Sequence, residues 1–384
     1  MPGSDRSVRG PVGLSLLLVL APCGCERITN SSDYEVSVPE AFEGLCNACP
    51  DEGLDLRHPP CPVASSVRDR NEQFVYVWRY YKLGFNPDDW TGPNADAFDL
   101  GIDLDCSSRL PTGRPSLCVP RTLPEGRKET PWLPLPHGID NAMSQRVLGP
   151  LFELAEEMEQ DAALDKGLNA AIAAGGSSVL IAVENWNGTP NDPKVTARIV
   201  SVAGISEQNG GPPRWDGNDL WDALSDGADP ESRFGAPNTT FKSDHAYVAN
   251  GTLVLDLQFL GVADLTIINN GARLDIAMHN LAVIGDISED ALLNVSVLGL
   301  WSHGDMKRAS SDIADFLSGC DPLKRSFLDK LLPDLIDSAP DLPLSTSSPT
   351  QPCDAMSVGY GAQAYRARIG GFRPVSSLPG GCPP

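Results

Sequence analysis

Apolar and polar positions alternate along much of this chain, and a helical period replaces the alternation only in short stretches. Residues 73–83 (QFVYVWRYYKL) are rich in aromatic and β-branched side chains and predict a first strand. Further strands are expected over 178–184, 194–202, 252–259, 264–268, 273–278, 292–300 and 355–369. Asn269-Asn270-Gly271 between two of them predicts a hairpin, because Asn and Gly tolerate the positive φ of tight turns. The clearest helical period follows Asp140 and Asn141, either of which is a suitable N-cap. Met143, Val147, Leu148, Leu151, Phe152, Ala155 and Met158 recur there at helical spacing. A second helix over 165–174 ends at Gly175-Gly176, and others are expected over 313–317 and 323–336. A Pro/Ser/Thr loop follows at 338–352. Sequential strands, short turns and few helices predict a mainly β (α+β) fold. The expected architecture is an antiparallel β-sandwich or barrel-like domain with a few inserted helices, braced by disulfides.

The N-terminus departs from this pattern. Arg6 and Arg9 precede an apolar run of eight residues at 14–21, and Cys23 and Cys25 close it. Eight residues cannot span a bilayer, which needs about 20, but they suit a signal peptide. A Leu, two small residues and then Cys would make a lipoprotein signal, and both cysteines fit it imperfectly. Cysteine arithmetic favours Cys25, since cleavage before it leaves eight others, an even number suited to an oxidising compartment. Glu26 in place of Asp resembles signals sorted to the outer membrane. The expected organisation is a signal peptide over 1–24, a Cys-rich tether over 25–70 and a β-rich domain over 71–384. The partner implied is a lipid bilayer held through the anchor, with secretion without lipid as the alternative.

The eight disulfide candidates are Cys46, Cys49, Cys61, Cys106, Cys118, Cys320, Cys353 and Cys382. Eight cysteines allow 105 pairings, so connectivity stays open. Proximity suggests Cys106 with Cys118 and Cys320 with Cys353, contributing about 3 and 4 kcal/mol on the chain-entropy model. Cys382 would then return to the Cys46/Cys49/Cys61 group. That group, with His58, also has zinc-like spacing, but exported thiols oxidise first.

Acidic residues number 51 against 29 basic ones, a net charge of −22, which argues against nucleic-acid binding. Hydrophobic content of 41% supports a true core, so the acidity does not imply global disorder. It suits solubility and divalent cations. Asp96, Asp99, Asp103 and Asp105 lie close together, and Asp140 and Asn141 can complete an oxygen-rich site. We take Asp99, Asp103, Asp105, Asp140 and Asn141 as the metal candidates, with Ca²⁺ as the ion. A solvated loop with an N-cap is the plainer reading of the same residues. A second loop, Trp215-Asp216-Gly217-Asn218-Asp219-Leu220-Trp221, mixes carboxylates with aromatics as sugar-binding faces do, although ordinary β-turns share that composition. Hydrolase, nucleotide-binding and zinc-protease signatures are missing, and the five histidines are scattered.

Phe98-Asp99-Leu100-Gly101-Ile102-Asp103-Leu104-Asp105, Cys118 and Gly138-Ile139-Asp140-Asn141-Ala142 form a succession that resembles uncharacterised envelope lipoproteins of Gram-negative bacteria. Similar features follow: an apolar strand after Gly175-Gly176, a Trp-Asp-Gly-x-Asp turn, and Cys353-Asp354-Ala355-Met356-Ser357-Val358-Gly359. The resemblance covers most of 75–370 and implies a single domain in which the aspartates matter, but no reaction. The expectation is an exported envelope lipoprotein without enzymatic activity, acting in binding or surface architecture toward a protein or glycan partner. The rival is an exported hydrolase using carboxylates near Trp215 and Trp221 on glycans.

Overall fold

In the computed structural model the described residues are 61–70, 72–82, 118, 143, 147, 164–225, 241–256, 262–269, 271–342, 344, 350–374, 378 and 382. All belong to one unit, Glu35–Pro384. Their strands are β1 (Gln73–Lys82), β2 (Ser178–Glu184), β3 (Asp192–Ile205), β4 (Leu220–Ser225), β5 (Phe241–Ala249), β6 (Thr252–Asp256), β7 (Val262–Asn269), β8 (Ala272–Ile287), β9 (Ala291–Ser302), β10 (Ala355–Arg366) and β11 (Arg368–Pro374). Four helices accompany them: α1 (Leu164–Ala173), α2 (His303–Arg308), α3 (Ser310–Ser318) and α4 (Pro322–Ser338).

The sheet closes on itself. Its order runs β3-β2-β1-β10-β9-β8-β6-β5, and β5 pairs back to β3, so eight antiparallel strands form a barrel without free edges. Of the two architectures expected, the barrel is the one formed. Alternate residues point inward, as the two-residue period of a strand requires. Phe74, Tyr76 and Trp78 of β1, Val179, Ile181 and Val183 of β2, and Val358, Tyr360 and Ala362 of β10 meet in one continuous core. β7 lies against the first half of β8 as a hairpin, with Asn269 opposite Ala272 and Gly271 at φ +91°, where a side chain would strain the turn.

The two ends of the barrel close differently. At one, Trp186 is 3% exposed, packs edge-on against Phe74 at 4.9 Å, and donates from its indole to the Thr189 carbonyl. The β2–β3 loop there is stapled by Asp192, which accepts from the backbone of Asn187 at 2.7 Å and Lys194 at 3.2 Å. Burial pushes the Asp192 carboxyl up to about 6, against the lowering effect of those two amides. At the other end α1 is tied to β1, with the Asn169 side chain accepting from Tyr81 N and donating to Tyr81 O. Ile313, Phe316, Leu332 and Ile336 of α3 and α4 add to the core. Asp321 caps α4 by accepting from Leu323 N and Lys324 N.

A smaller core lies outside the barrel. Val75, Val77, Leu180, Ala182, Val200 and Val202 are covered by Trp221 and Ala223 of β4 and by Ala367. β4 pairs antiparallel with the end of β3, and β11 runs parallel to β4. The strand expected over 355–369 therefore breaks at Ala367, whose N–H turns aside to the Val75 carbonyl, and its last residues join the outer flap.

The proximity pairing of cysteines is overturned. Cys118 bonds Cys353 across 235 residues and Cys320 bonds Cys382 across 62, each with Cα atoms 5.1 Å apart. Thus Cys118 does not pair with Cys106, and Cys320 does not pair with Cys353. Tertiary folding brings distant segments together, and sequence spacing carries no information about that. Cys61 is also disulfide-bonded, so its sulfur is unavailable as a zinc ligand.

Candidate functional site

The outer face of β1 carries an irregularity. Its register against β10 slips between Trp78 and Tyr80, so Trp78 and Tyr81 both face the core although they are three residues apart. Such a bulge re-aims the side chain within it. Here that side chain is Arg79, which extends over the outer surface beyond Val75 and Val77.

Three rings surround it. The Arg79 guanidinium carbon is 5.0 Å from the Tyr80 ring, 5.2 Å from Trp215 and 5.4 Å from Tyr365. Each contact of this kind contributes about 0.5–2 kcal/mol, more as the cation loses water. Arg79, Trp215 and Tyr365 are half-buried and Tyr80 is exposed. Arg79 Nε is buried with no hydrogen-bond partner, and no carboxylate among the described residues pairs with this arginine.

Trp215 is held in place by its own loop. The Asp219 carboxylate, 1% exposed, accepts from Arg214 N at 3.0 Å and from Trp215 N at 2.5 Å. Asn209 Oδ1 accepts from Leu220 N, anchoring the other side of the loop. These bonds keep Trp215 at φ +59°, a left-handed conformation uncommon for a bulky residue. Its ring lies 5.5 Å from buried Trp221 and 6.3 Å from Tyr365, steeply inclined to the latter. Trp221 lies in the flap strand β4 rather than in the turn, so the two tryptophans are split between surface and core.

The carboxylates of this loop do structural work. Both Asp219 oxygens face backbone amides, while Asp216 caps Asn218 N at 3.0 Å and faces Arg214 at 3.6 Å. What the platform presents is inclined aromatic faces beside a guanidinium with no carboxylate partner among the described residues.

Sequence reading singled out Trp215 and Asp219 but missed Arg79, Tyr80 and Tyr365. The available signal was one arginine interrupting the aromatic run of β1. The expected lipidation site Cys25, the cysteines Cys46, Cys49 and Cys106, and the metal candidates Asp99, Asp103, Asp105, Asp140 and Asn141 lie outside the described residues. Among the described residues no group of three or more His, Cys, Asp or Glu can hold a metal ion. Nor is any described helix long and apolar enough to cross a membrane.

Two histidines face carboxylates near α2. His303 Nε2 is 2.8 Å from Asp337, which also pairs with Lys307 at 2.8 Å. Burial would raise the Asp337 carboxyl, but Lys307 and His303 together hold it below its ordinary range. His279 Nε2 lies 3.6 Å from Asp305, the residue that also contacts Ser302, the N-cap of α2. Ser302 thus serves the helix start. No protein-family model, curated protein or solved structure matches this chain.

Proposed function

We propose that this chain is an exported envelope protein, anchored by a lipid on Cys25, that binds its ligand on the Arg79–Tyr80–Trp215–Tyr365 platform and catalyses no reaction. The observation that carries the reading is Arg79: in a chain of net charge −22 it stands among three rings, and among the described residues no carboxylate pairs with it. An arginine set in a fixed aromatic frame, with no carboxylate partner among the described residues, is suited to an external ligand. The disulfides Cys118–Cys353 and Cys320–Cys382 favour an oxidising compartment and agree with export. Calcium bracing of the segment after β1, through Asp99, Asp103, Asp105, Asp140 and Asn141, belongs to the same proposal.

The test is a binding panel of neutral oligosaccharides, acidic oligosaccharides and short peptides against wild type and Trp215→Ala. A ligand bound by the wild type and lost in the variant supports the platform. Ligands held equally by both proteins place recognition elsewhere. Intact mass of membrane-extracted protein tests the anchor, a diacyl or triacyl adduct on Cys25 being expected and an unlipidated chain contradicting it.

A further inference from the structure

Resting on that reading, we infer that the platform recognises carboxylate-bearing sugars, the guanidinium of Arg79 pairing with the sugar carboxylate while Trp215 and Tyr365 flank the ring. Three observations lead there. The first is the charge requirement. A guanidinium matches a carboxylate with two parallel hydrogen bonds, and Arg79 has no such partner within the described protein.

The second is shape. Trp215 and Tyr365 are inclined at 71° with centroids 6.3 Å apart, making a corner rather than a flat stack. A corner fits a puckered sugar ring, whose C–H faces contact aromatic surface, better than it fits a planar base. The polar rim agrees: Asn218, Asp216 and Arg214 project from the Trp215 loop, and the Tyr365 hydroxyl donates to Gln363 at 3.4 Å. Hydroxyl-rich ligands need such mixed donors and acceptors.

The third is long-range electrostatics. A protein of net charge −22 repels dense polyanions, so a ligand with one carboxylate per ring is favoured over one carrying clustered phosphates. Local attraction at Arg79 can exceed the remote repulsion because the latter is screened within about 8–10 Å at physiological salt.

The experiment is calorimetric titration with tetragalacturonate and with its carboxyl-reduced tetrasaccharide, using wild type, Arg79→Gln, Arg79→Lys and Trp215→Ala. Thermal melts of each variant exclude unfolding as the cause of any loss. Wild type is expected to bind the acidic tetramer at least tenfold more tightly than the reduced one. Arg79→Gln should remove that preference, Arg79→Lys should keep part of it, and Trp215→Ala should weaken both ligands. Equal affinity for the two tetramers overturns the carboxylate inference and leaves the platform standing. No binding of either tetramer also overturns it, and the wider panel above then decides the platform by itself. Binding of the acidic tetramer that persists unchanged in Arg79→Gln and Trp215→Ala defeats both.

Discussion

The Asp219 carboxylate holds the backbone N–H of Trp215 at 2.5 Å, and through that bond a fully buried acid sets the position of a surface indole. Removing it leaves the Arg214 and Trp215 amides without their acceptor. Asp219→Ala is expected to cost about 1–3 kcal/mol and to loosen the loop. Urea denaturation followed by tryptophan fluorescence checks this, and an unchanged midpoint would mean that water replaces the carboxylate fully.

Trp186 plugs one end of the barrel against Phe74. Trp186→Ala is expected to destabilise the fold by about 3–5 kcal/mol, as large-to-small changes of buried aromatics do. A loss below 1 kcal/mol would show that the neighbouring loops collapse into the space.

Asp192 gives a signed pH dependence. Its carboxyl titrates near 6 in the folded chain and near 3.9 when unfolded, so the folded state holds an extra proton between these values. Its contribution to stability therefore falls as pH rises from about 4 to about 6, by at most about 3 kcal/mol, and is constant above. Asp192→Asn should flatten this segment of the curve relative to wild type. Denaturation midpoints at pH 4, 5, 6 and 7 for the two proteins test it, and parallel curves would contradict it.

Much of the barrel wall was legible in the chain. β2 falls on the residues its apolar run marks, and Asn269-Asn270-Gly271 makes the expected hairpin, because both signals are local. β5 carries a weak signal because its polar Lys242, Ser243, Asp244 and His245 dilute the alternation, and β4 because Trp221 reads as part of the preceding turn. The site was half legible. Trp215 and Asp219 sit in a recognisable turn, whereas Arg79 and Tyr365 join it only through a bulge and a strand pairing made across nearly 290 residues.

The cysteine connectivity is open to a direct check. Peptide mapping without reduction should recover Cys118 linked to Cys353 and Cys320 linked to Cys382. Removing either bridge should cost about 2–5 kcal/mol, with the longer Cys118–Cys353 loop costing more. A Cys320–Cys353 peptide would contradict the arrangement.

The most direct test of the platform is ¹⁹F NMR of the protein labelled with 5-fluorotryptophan, with the Trp215 resonance assigned by Trp215→Phe and tetragalacturonate as the probe. The account predicts that Trp215 shifts on titration while core-bound Trp186 and Trp301 stay in place. Saturable binding that leaves the Trp215 resonance unmoved would contradict it.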